Sequence, residues 1–266
     1  MILKEITDYL EQVAPLRFQE SYDNAGLIVG DKSMDVSGVL VSLDATEAVI
    51  DDAIAQNCNV VVSHHPIVFK GIRKFNPNYY VDKAVIKAIK HDVALYAIHT
   101  NLDNVLQDGV NQKIGQRLEL SDITPLRAHP AASMETAYDL GSGAIGTLSP
   151  GLSGSEFISY VKDKMALQVI KHTEILNQQI TKVALCGGSG SFLLPHAISA
   201  EAQVFITADY KYHEFFDANG EIIIMDIGHY ESEYYTIELL HELLSKKFPN
   251  FAARSTKVVT NPVFYS

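Results

Sequence analysis

The segment Val60–Pro66, VVVSHHP, carries the strongest structural signal in this chain. Its three consecutive β-branched valines predict a strand that is buried on both faces, as in a parallel sheet. The strand ends at once in two imidazoles and a proline, which cannot extend it. Because open α/β sheets bind ligands at the carboxyl ends of their strands, His64 and His65 stand where a site is expected. Two neutral imidazoles there indicate transition-metal ligands, although a surface pair at a strand end explains the dipeptide alone equally well.

Segments of strand and helix alternate on both sides of this stretch. Strands are predicted at 39–43, 60–63, 93–98, 183–186, 204–207, 222–227 and 256–260. Helices are predicted at 2–14, 44–57, 79–91, 109–120, 155–165, 191–201 and 230–247, with Thr46 as a cap of the second. Repeated strand–helix–strand units imply largely parallel sheets with helices on their faces. The spacing from Val183 to Val204 equals that from Val39 to Val60, which suggests that a second lobe repeats the geometry of the first.

The amino-acid composition changes in the middle of the chain. Pro, Ala, Ser and Gly are dense between residues 125 and 155, and the glycines of 141–146 predict a turn between two short strands. We therefore predict a first lobe of 1–124 plus 234–266 and a second lobe of 125–233. The predicted fold class is α/β: two similar, intertwined lobes with mixed, largely parallel sheets. A metal site is expected at the strand C-terminal ends between the lobes, which form one compact unit.

Composition limits the classes of partner. The net charge of −11 argues against broad binding to nucleic acids or anionic membranes, since both need a cationic face. The two cysteines, Cys58 and Cys186, are far apart and outside any C-x-x-C spacing, so neither a disulfide framework nor a thiolate zinc site is expected. An amphipathic helix at the start, no signal peptide and no long apolar run predict a cytoplasmic protein without a membrane span.

Four predicted strand ends carry side chains typical of metal ligands. They are His64 with His65, His99 with Asp103, Asp209 with His213, and His229 with Glu233. Nitrogen and carboxylate ligands without cysteine suit Zn, Fe, Mn or Mg. These candidate ligands are more than one metal ion requires. Two neighbouring ions can stabilise a hydrolytic transition state and activate a water. An isolated surface histidine is usually no ligand, but four such strand ends favour a metal site.

Five motifs spread over residues 1–266 resemble the Nif-three-like (NGG-interacting-factor-three-like) family, whose members are often named GTP cyclohydrolase 1 type 2. The motifs are Tyr22–Leu27 (YDNAGL), Ser63–Pro66 (SHHP), His99–Asp103 (HTNLD), Ile206–His213 (ITADYKYH) and Gly228–Glu233 (GHYESE). The resemblance implies a two-lobed α/β subunit in a toroidal homohexamer, a trimer of dimers, with a dinuclear metal centre facing the interior cavity. The chain resembles the short form of the family, without the domain inserted in mid-chain.

The resemblance also implies a ligand set for two divalent ions per subunit. Matched motif by motif, the metal ligands would be His64, His65, Asp103, His229 and Glu233. Asp103 and Glu233 are then the candidates for bridging or shared carboxylates. The identity of the ions, Zn, Fe, Mn or Mg, is left open.

No catalytic residue is assigned from the sequence, and His99, Asp209 and His213 are the candidates. His99 would orient a ligand or a substrate, although a core histidine bonded to backbone is an equal alternative. His213 could contact an anionic substrate, and a solvated helix start explains it as well. The loop Gly187–Gly190 resembles an anion-binding nest but lacks the order of a P-loop or dinucleotide fingerprint.

Two functional hypotheses follow from these residues. The first is a dinuclear metal-dependent hydrolase that acts on a nucleotide through a metal-activated water, with the ring opening of GTP as the reaction that the resemblance names. The second is a metal-binding regulatory or scaffold protein without turnover. It predicts a coordinatively saturated site, whereas the first predicts an open ligand position.

Overall fold

The chain folds into alternating helices and strands, as described by a computed structural model for residues 1–133 and 137–266. The α-helices are α1 Leu3–Val13, α2 Glu47–Ala55, α3 Tyr80–Lys90, α4 Thr100–Asp103, α5 Val110–Arg117, α6 Gly154–Lys164, α7 Leu194–Ser199, α8 His229–Glu233 and α9 Thr236–Lys247. The strands are β1 Gly26–Val29, β2 Val39–Ser42, β3 Val60–Ser63, β4 Ala94–Ala97, β5 Ser121–Ala128, β6 Gly141–Ser153, β7 Lys171–His172, β8 Gln179–Ser189, β9 Val204–Ala208, β10 Ile223–Asp226 and β11 Ala253–Ser255. Short 3₁₀ helices lie at Leu16–Phe18, Ser191–Leu193 and Tyr212–Ala218.

The chain divides into two compact units, each built from two segments. Unit 1 comprises Met1–Leu102 and Thr236–Pro262, and unit 2 comprises Asp103–Tyr235 and Val263–Ser266. Each unit contains one mixed sheet. The predicted class, α/β with mixed sheets, is therefore confirmed. None of the helices in the described ranges is long and apolar enough to cross a membrane.

Unit 1 is organised by a five-stranded sheet of order β1-β4-β3-β2-β11. Its inner strands β2, β3 and β4 are parallel, and β1 pairs antiparallel with β4 at one edge. The register pairs Ser42 with Ser63 and Ser63 with Ala97, so the three inner strands end at the same level. The predicted strand at 60–63 is confirmed, and all four of its residues are buried as expected for a central parallel strand.

Helices α2 and α3 pack on one face of this sheet. The side chain of Thr46 accepts a hydrogen bond from the amide of Val49, which caps α2 as the sequence predicts. The apolar faces of both helices and of the inner strands form a common core that includes Leu40, Ile50, Val61 and Val85. The core holds the strand ends rigidly because it leaves the central strands no freedom to slide.

Unit 2 contains a six-stranded sheet of order β5-β6-β8-β9-β10-β7. Strands β8, β9 and β10 are parallel, while β6 and β7 pair antiparallel on either side of them. In this register Thr207 pairs with Asp226, so β9 and β10 also end side by side. The residues that follow these two strands therefore emerge at one edge of the sheet.

Three local predictions are wrong. The glycines of 141–146 do not form a turn but belong to the long strand β6, because neighbouring backbones approach too closely for side chains: a Cβ on Gly141 would lie 2.5 Å from the carbonyl oxygen of Arg127. The helix predicted from Tyr230 to Lys247 is divided into α8 and α9. The final strand lies at Ala253–Ser255, where it pairs with β2, and not at 256–260.

Candidate metal centre

Three histidines of unit 1 gather at the ends of β3 and β4. His64, His65 and His99, called here the imidazole cluster, offer ligand nitrogens that all lie within 4.8 Å of one another. Their ring centroids are 5.0 to 5.4 Å apart. His64 is fully buried, and the other two are largely buried. The two strands end in register, which brings residues that are far apart in sequence into one group.

Each ring of the imidazole cluster is oriented through its Nδ1 atom. The Nδ1 of His64 lies 2.8 Å from the carbonyl oxygen of Ile98. The Nδ1 of His65 lies 2.8 Å from Asp44 Oδ1, and that of His99 lies 2.8 Å from Asp23 Oδ1. A carbonyl or carboxylate oxygen only accepts hydrogen bonds, so Nδ1 carries the proton in each ring. Nε2 then holds the lone pair, which is the arrangement typical of metal-binding histidines.

Asp23 and Asp44 are held ionised, which secures the orientation of His99 and His65. Burial raises the pKa of Asp23, but hydrogen bonds from His99, Thr100 and the amide of Asn24, with the charge of His99, outweigh it and lower the pKa to about 2. Burial likewise raises the pKa of Asp44, and bonds from His65 and Thr260, with the charge of His65, lower it below its usual value. Both side chains are carboxylates at neutral pH.

Sequence reasoning missed Asp44, and the pattern Asp23-Asn24-Ala25-Gly26 is chiefly typical of a turn, with a functional role for Asp23 left open. A signal for Asp44 was present in the register. Asp44, His65 and His99 each stand two residues after Ser42, Ser63 and Ala97, the paired last residues of three parallel strands. Side chains at equal offsets from paired residues emerge at the same level. No comparable signal existed for Asp23, which lies in a loop before β1 and reaches His99 by tertiary folding.

A second group of candidate ligands lies in unit 2. Asp103, His229 and Glu233, called here the carboxylate cluster, come from α4 and from the two ends of α8. Because α8 begins at His229, the i,i+4 spacing puts Glu233 on the same face, and Oε2 of Glu233 lies 3.1 Å from His229 Nε2. Asp103 and Glu233 offer oxygens within 4.8 Å of each other, and Glu233 is buried. The helix begins at His229, one residue before the predicted start at Tyr230.

Asp209 orients His229 in unit 2. Its Oδ2 lies 2.7 Å from His229 Nδ1 and accepts a hydrogen bond from it, which orients the ring so that Nε2 faces Glu233 of the carboxylate cluster. Asp209 has a φ of 60°, in the left-handed region that non-glycine residues adopt at a cost of about 1–3 kcal/mol. The candidate Asp209 is thus a positioning residue for His229.

The glycine loop at the end of β8 makes room for Glu233. Gly188 has a φ of 62°, and a Cβ at this position would lie 2.3 Å from Glu233 Oε1. Its amide donates to Ser232 Oγ at 2.9 Å, and the amide of Gly187 donates to Asn111 Oδ1 at 3.0 Å. Since both amides are used inside the unit, they do not form the anion-binding nest that the sequence pattern raised.

Cys186 and His213 complete the sequence candidates of unit 2. Burial, together with the charges of Asp103 and Glu233, strongly raises the pKa of the Cys186 thiol, so the thiol is neutral at neutral pH. His213 lies exposed in the 3₁₀ helix Tyr212–Ala218, where its ring contacts those of Tyr212 and Phe216. In the described parts of the chain, no contact connects His213 with the carboxylate cluster.

The donor chemistry of both clusters fits divalent metal ions. The imidazole cluster supplies nitrogen donors, and the carboxylate cluster supplies two carboxylates with one nitrogen. Such sets suit Zn, Fe, Mn and related ions, and no thiolate is offered. The clusters contain all five residues of the ligand set implied by the sequence resemblance, and in addition His99.

Comparison with known proteins gives one consistent answer. A sequence model of the Duf34/NIF3 (NGG1p interacting factor 3) family matches residues 1–262. A protein of Clostridium acetobutylicum named GTP cyclohydrolase 1 type 2 homolog is 31% identical over 243 residues, which cover 91% of this chain and 89% of the relative. The crystal structure of Staphylococcus aureus protein SA1388 is 28% identical, with a TM-score of 0.91 and coverage of 100% of this chain and 99% of that chain.

Some relatives are longer than this chain. A Staphylococcus epidermidis protein named GTP cyclohydrolase 1 type 2 homolog is 26% identical in an alignment of 368 residues that covers all of both chains. This alignment exceeds the 266 residues of the present chain, so the relative carries residues that have no counterpart here.

Proposed function

We propose that this chain, which belongs to the DUF34/NIF3 family, is a metal-dependent hydrolase acting on a nucleotide. The observation that supports this most directly is the common orientation of His64, His65 and His229, each of which holds its Nδ1 proton on an oxygen. Imidazoles fixed in this way have their Nε2 lone pairs directed for coordination before any metal arrives. The exposed His172 also has an oxygen 2.7 Å from its Nδ1, so the further support comes from burial, because His64 is fully buried and His65 largely so.

The proposed ligands are His64, His65, Asp103, His229 and Glu233, which would hold two divalent ions. Bound ions of this type supply Lewis acidity and lower the pKa of water at their surface. The dinuclear centre and its hydrolytic use are proposals supported by the family resemblance and by the chemistry of these five side chains.

His99 is proposed as the proton-transfer residue. Asp23 holds the proton on Nδ1 of His99, which leaves Nε2 to accept a proton from a reacting group. The ionised state of Asp23 favours the imidazolium that forms when this happens, as in other carboxylate–histidine pairs.

The names of the curated relatives support a guanosine nucleotide as the first substrate to test. GTP ring opening is accordingly the proposed reaction. The assembly that we propose is a homohexamer, a trimer of dimers, on the strength of the family resemblance. Native mass spectrometry of the purified protein would test it, and a monomer at micromolar concentration would contradict it.

The hydrolase proposal is tested by metal analysis followed by turnover. Elemental analysis of the purified protein should find about two equivalents of metal per chain, by the dinuclear logic. The metal-loaded protein should consume GTP, and chromatography should detect the ring-opened product. His65→Ala should lose metal and turnover together. His91→Ala, an exposed histidine at the end of α3, is the matched control and should retain both.

Two results would contradict the proposal. Full metal loading without turnover of GTP, other nucleotides or simple phosphoesters would favour the alternative, a metal-binding protein without catalysis. Absence of metal even after reconstitution would make the histidines structural and remove both hypotheses.

A further inference from the structure

The segment that follows His64 and His65 in the sequence is basic, although the chain as a whole is acidic. Residues 69–79, FKGIRKFNPNY, called here the basic loop, contain Lys70, Arg73 and Lys74 and no acidic residue, whereas the whole chain has a net charge of −11. All three cations are exposed. Within the described residues, none of them forms an ion pair. Their charges are therefore available to a ligand.

Exposed aromatic side chains lie between these cations. Phe69, Phe75 and Tyr79 are 49%, 53% and 58% exposed. The ring of Tyr79 also contacts that of Tyr80, with centroids 4.6 Å apart. Large apolar rings concentrated in one exposed segment are typical of an interaction site. Aromatic rings interleaved with cations are the combination that binds nucleotides, because rings stack on bases and cations neutralise phosphates.

The start of the basic loop is fixed close to the imidazole cluster. The ring of Phe69 makes an edge contact with His99, with centroids 5.6 Å apart. The carbonyl of Val68 accepts a hydrogen bond of 2.7 Å from Asn24, the neighbour of Asp23. The loop is thus attached to the imidazole cluster at its start.

We infer that the basic loop binds the phosphate groups of a nucleoside polyphosphate through Lys70, Arg73 and Lys74. The inference rests on the proposed function for the class of ligand and adds the residues that select a phosphorylated form of it. Three cations on a short loop match a compact polyphosphate. A long polyanion such as single-stranded nucleic acid would also meet the acidic remainder of the chain, which repels it.

Equilibrium binding to the full-length protein tests the inference. GTP and guanosine are titrated separately against metal-loaded and chelator-treated protein. The triple variant Lys70→Ala, Arg73→Ala, Lys74→Ala should bind GTP roughly 10- to 100-fold more weakly, by a few-fold for each exposed charge pair lost. Its affinity for guanosine should change by less than about twofold, because guanosine has no phosphate. The salt dependence of GTP binding should also become shallower in the variant.

A second triple variant controls for net charge. Lys90→Ala, Lys246→Ala, Arg254→Ala removes two exposed lysines and one exposed arginine from unit 1, outside the basic loop. It should bind GTP within about twofold of the parent protein, since bulk charge contributes little at moderate salt. Circular dichroism of both variants checks that the fold is retained.

Three outcomes would overturn the inference. GTP and guanosine could bind equally to the parent protein, or the two triple variants could lose GTP affinity equally. In the third case, a deoxythymidine oligonucleotide would bind through the loop with an affinity that rises with length and that GTP does not compete, which would identify a nucleic-acid surface.

The test separates this inference from the proposed function. GTP bound through the loop but never converted would contradict the hydrolase and support the loop. GTP converted with the same KM in the parent and both triple variants would support the hydrolase and contradict the loop.

Discussion

The imidazole cluster of unit 1 and the carboxylate cluster of unit 2 hold candidate ligands by different physical means. In the imidazole cluster, His64, His65 and His99 follow strands whose ends are paired in register, and an oxygen bonded to Nδ1 orients each ring. In the carboxylate cluster, Glu233 fits only because Gly188 has no side chain. The first cluster is thus specified by strand pairing, and the second by backbone conformations that few residues adopt.

This difference predicts which changes would disrupt metal binding in each cluster. The orientation of His65 and His99 depends on the carboxylates bonded to their Nδ1 atoms. The metal affinity of the imidazole cluster should therefore fall gradually when these bonds are weakened, and it should depend on pH. The carboxylate cluster depends on close contacts, so small additions of volume should disrupt it.

The largest effect is expected from removal of a buried ligand. Glu233→Ala should lower the metal content of the purified protein by half or more, because it deletes a buried carboxylate next to both His229 and Asp103. Elemental analysis measures this directly. Glu174→Ala removes an exposed carboxylate from the same unit and should leave the metal content unchanged. Equal metal content in the two variants would exclude Glu233 as a ligand.

A methyl group at Gly188 should nearly reproduce that loss. Gly188→Ala places a Cβ 2.3 Å from Glu233 Oε1, so the carboxylate must move and metal affinity should fall at least about tenfold. Gly220→Ala is the matched control, because Gly220 has a similar φ of 71° and nothing within 4 Å of the added Cβ. Both variants should lose about 1 kcal/mol of unfolding free energy to the left-handed backbone, measured in urea. If Gly220→Ala lowered metal affinity as much, backbone strain and not crowding would be responsible.

The carboxylates that orient the histidines should give smaller effects. Asp44→Asn removes the charge behind His65, and Asp209→Asn removes the charge behind His229. We expect metal affinity to fall about tenfold for Asp44→Asn and less for Asp209→Asn. The reason is exposure: the side chain of Asp44 is 33% exposed and also accepts a bond from Thr260, whereas that of Asp209 is 50% exposed. Competition with a chromophoric chelator measures both, and a larger effect of Asp209→Asn would reverse the contrast.

The smallest expected effect is on stability in acid. Asp23 has a folded-state pKa of about 2 against an ordinary value of 3.8, so it stabilises the fold above about pH 4, and this contribution is lost as the pH falls toward 2. In urea unfolding of metal-free protein, the stability difference between the parent and Asp23→Asn should therefore shrink by about 2 kcal/mol from about pH 5 to about pH 2.

Asp31→Asn is the control for this measurement. Bonds from Ser33 also lower the pKa of Asp31, but that side chain is exposed, so its variant should show a weaker pH dependence. A pH dependence of Asp23→Asn no greater than that of Asp31→Asn would show that the Asp23–His99 bond contributes nothing to folding.

Regular elements with strong local signals could be predicted from the sequence. Helix α2 follows from a capping threonine and apolar periodicity, and β3 follows from its run of valines. The glycines of β6 misled the prediction because glycine at 141–146 has two explanations, a turn or close backbone contact. Only the neighbouring strands decide between them, and those strands are distant in sequence.

The candidate ligands could be identified from the sequence because metal chemistry restricts the residue types and because strand ends are recognisable. The groups behind the ligands could not. Asp23 reaches His99 across 76 positions of sequence, and Asn111 reaches Gly187 across the same separation. Such contacts have no local pattern, since any polar residue in a loop is an equal candidate before the chain is folded.

The sequence by itself determined the α/β class, the strand ends on which candidate ligands stand, and the spacing that puts His229 and Glu233 on one face of α8. These features depend on local periodicity and on the chemistry of single side chains. Only the tertiary structure decided which Nδ1 atom meets which oxygen, why Gly188 must lack a side chain, and where the basic loop is attached. The physical reason is that orientation, crowding and electrostatic neighbourhood depend on distances between segments, which the order of residues along the chain does not contain.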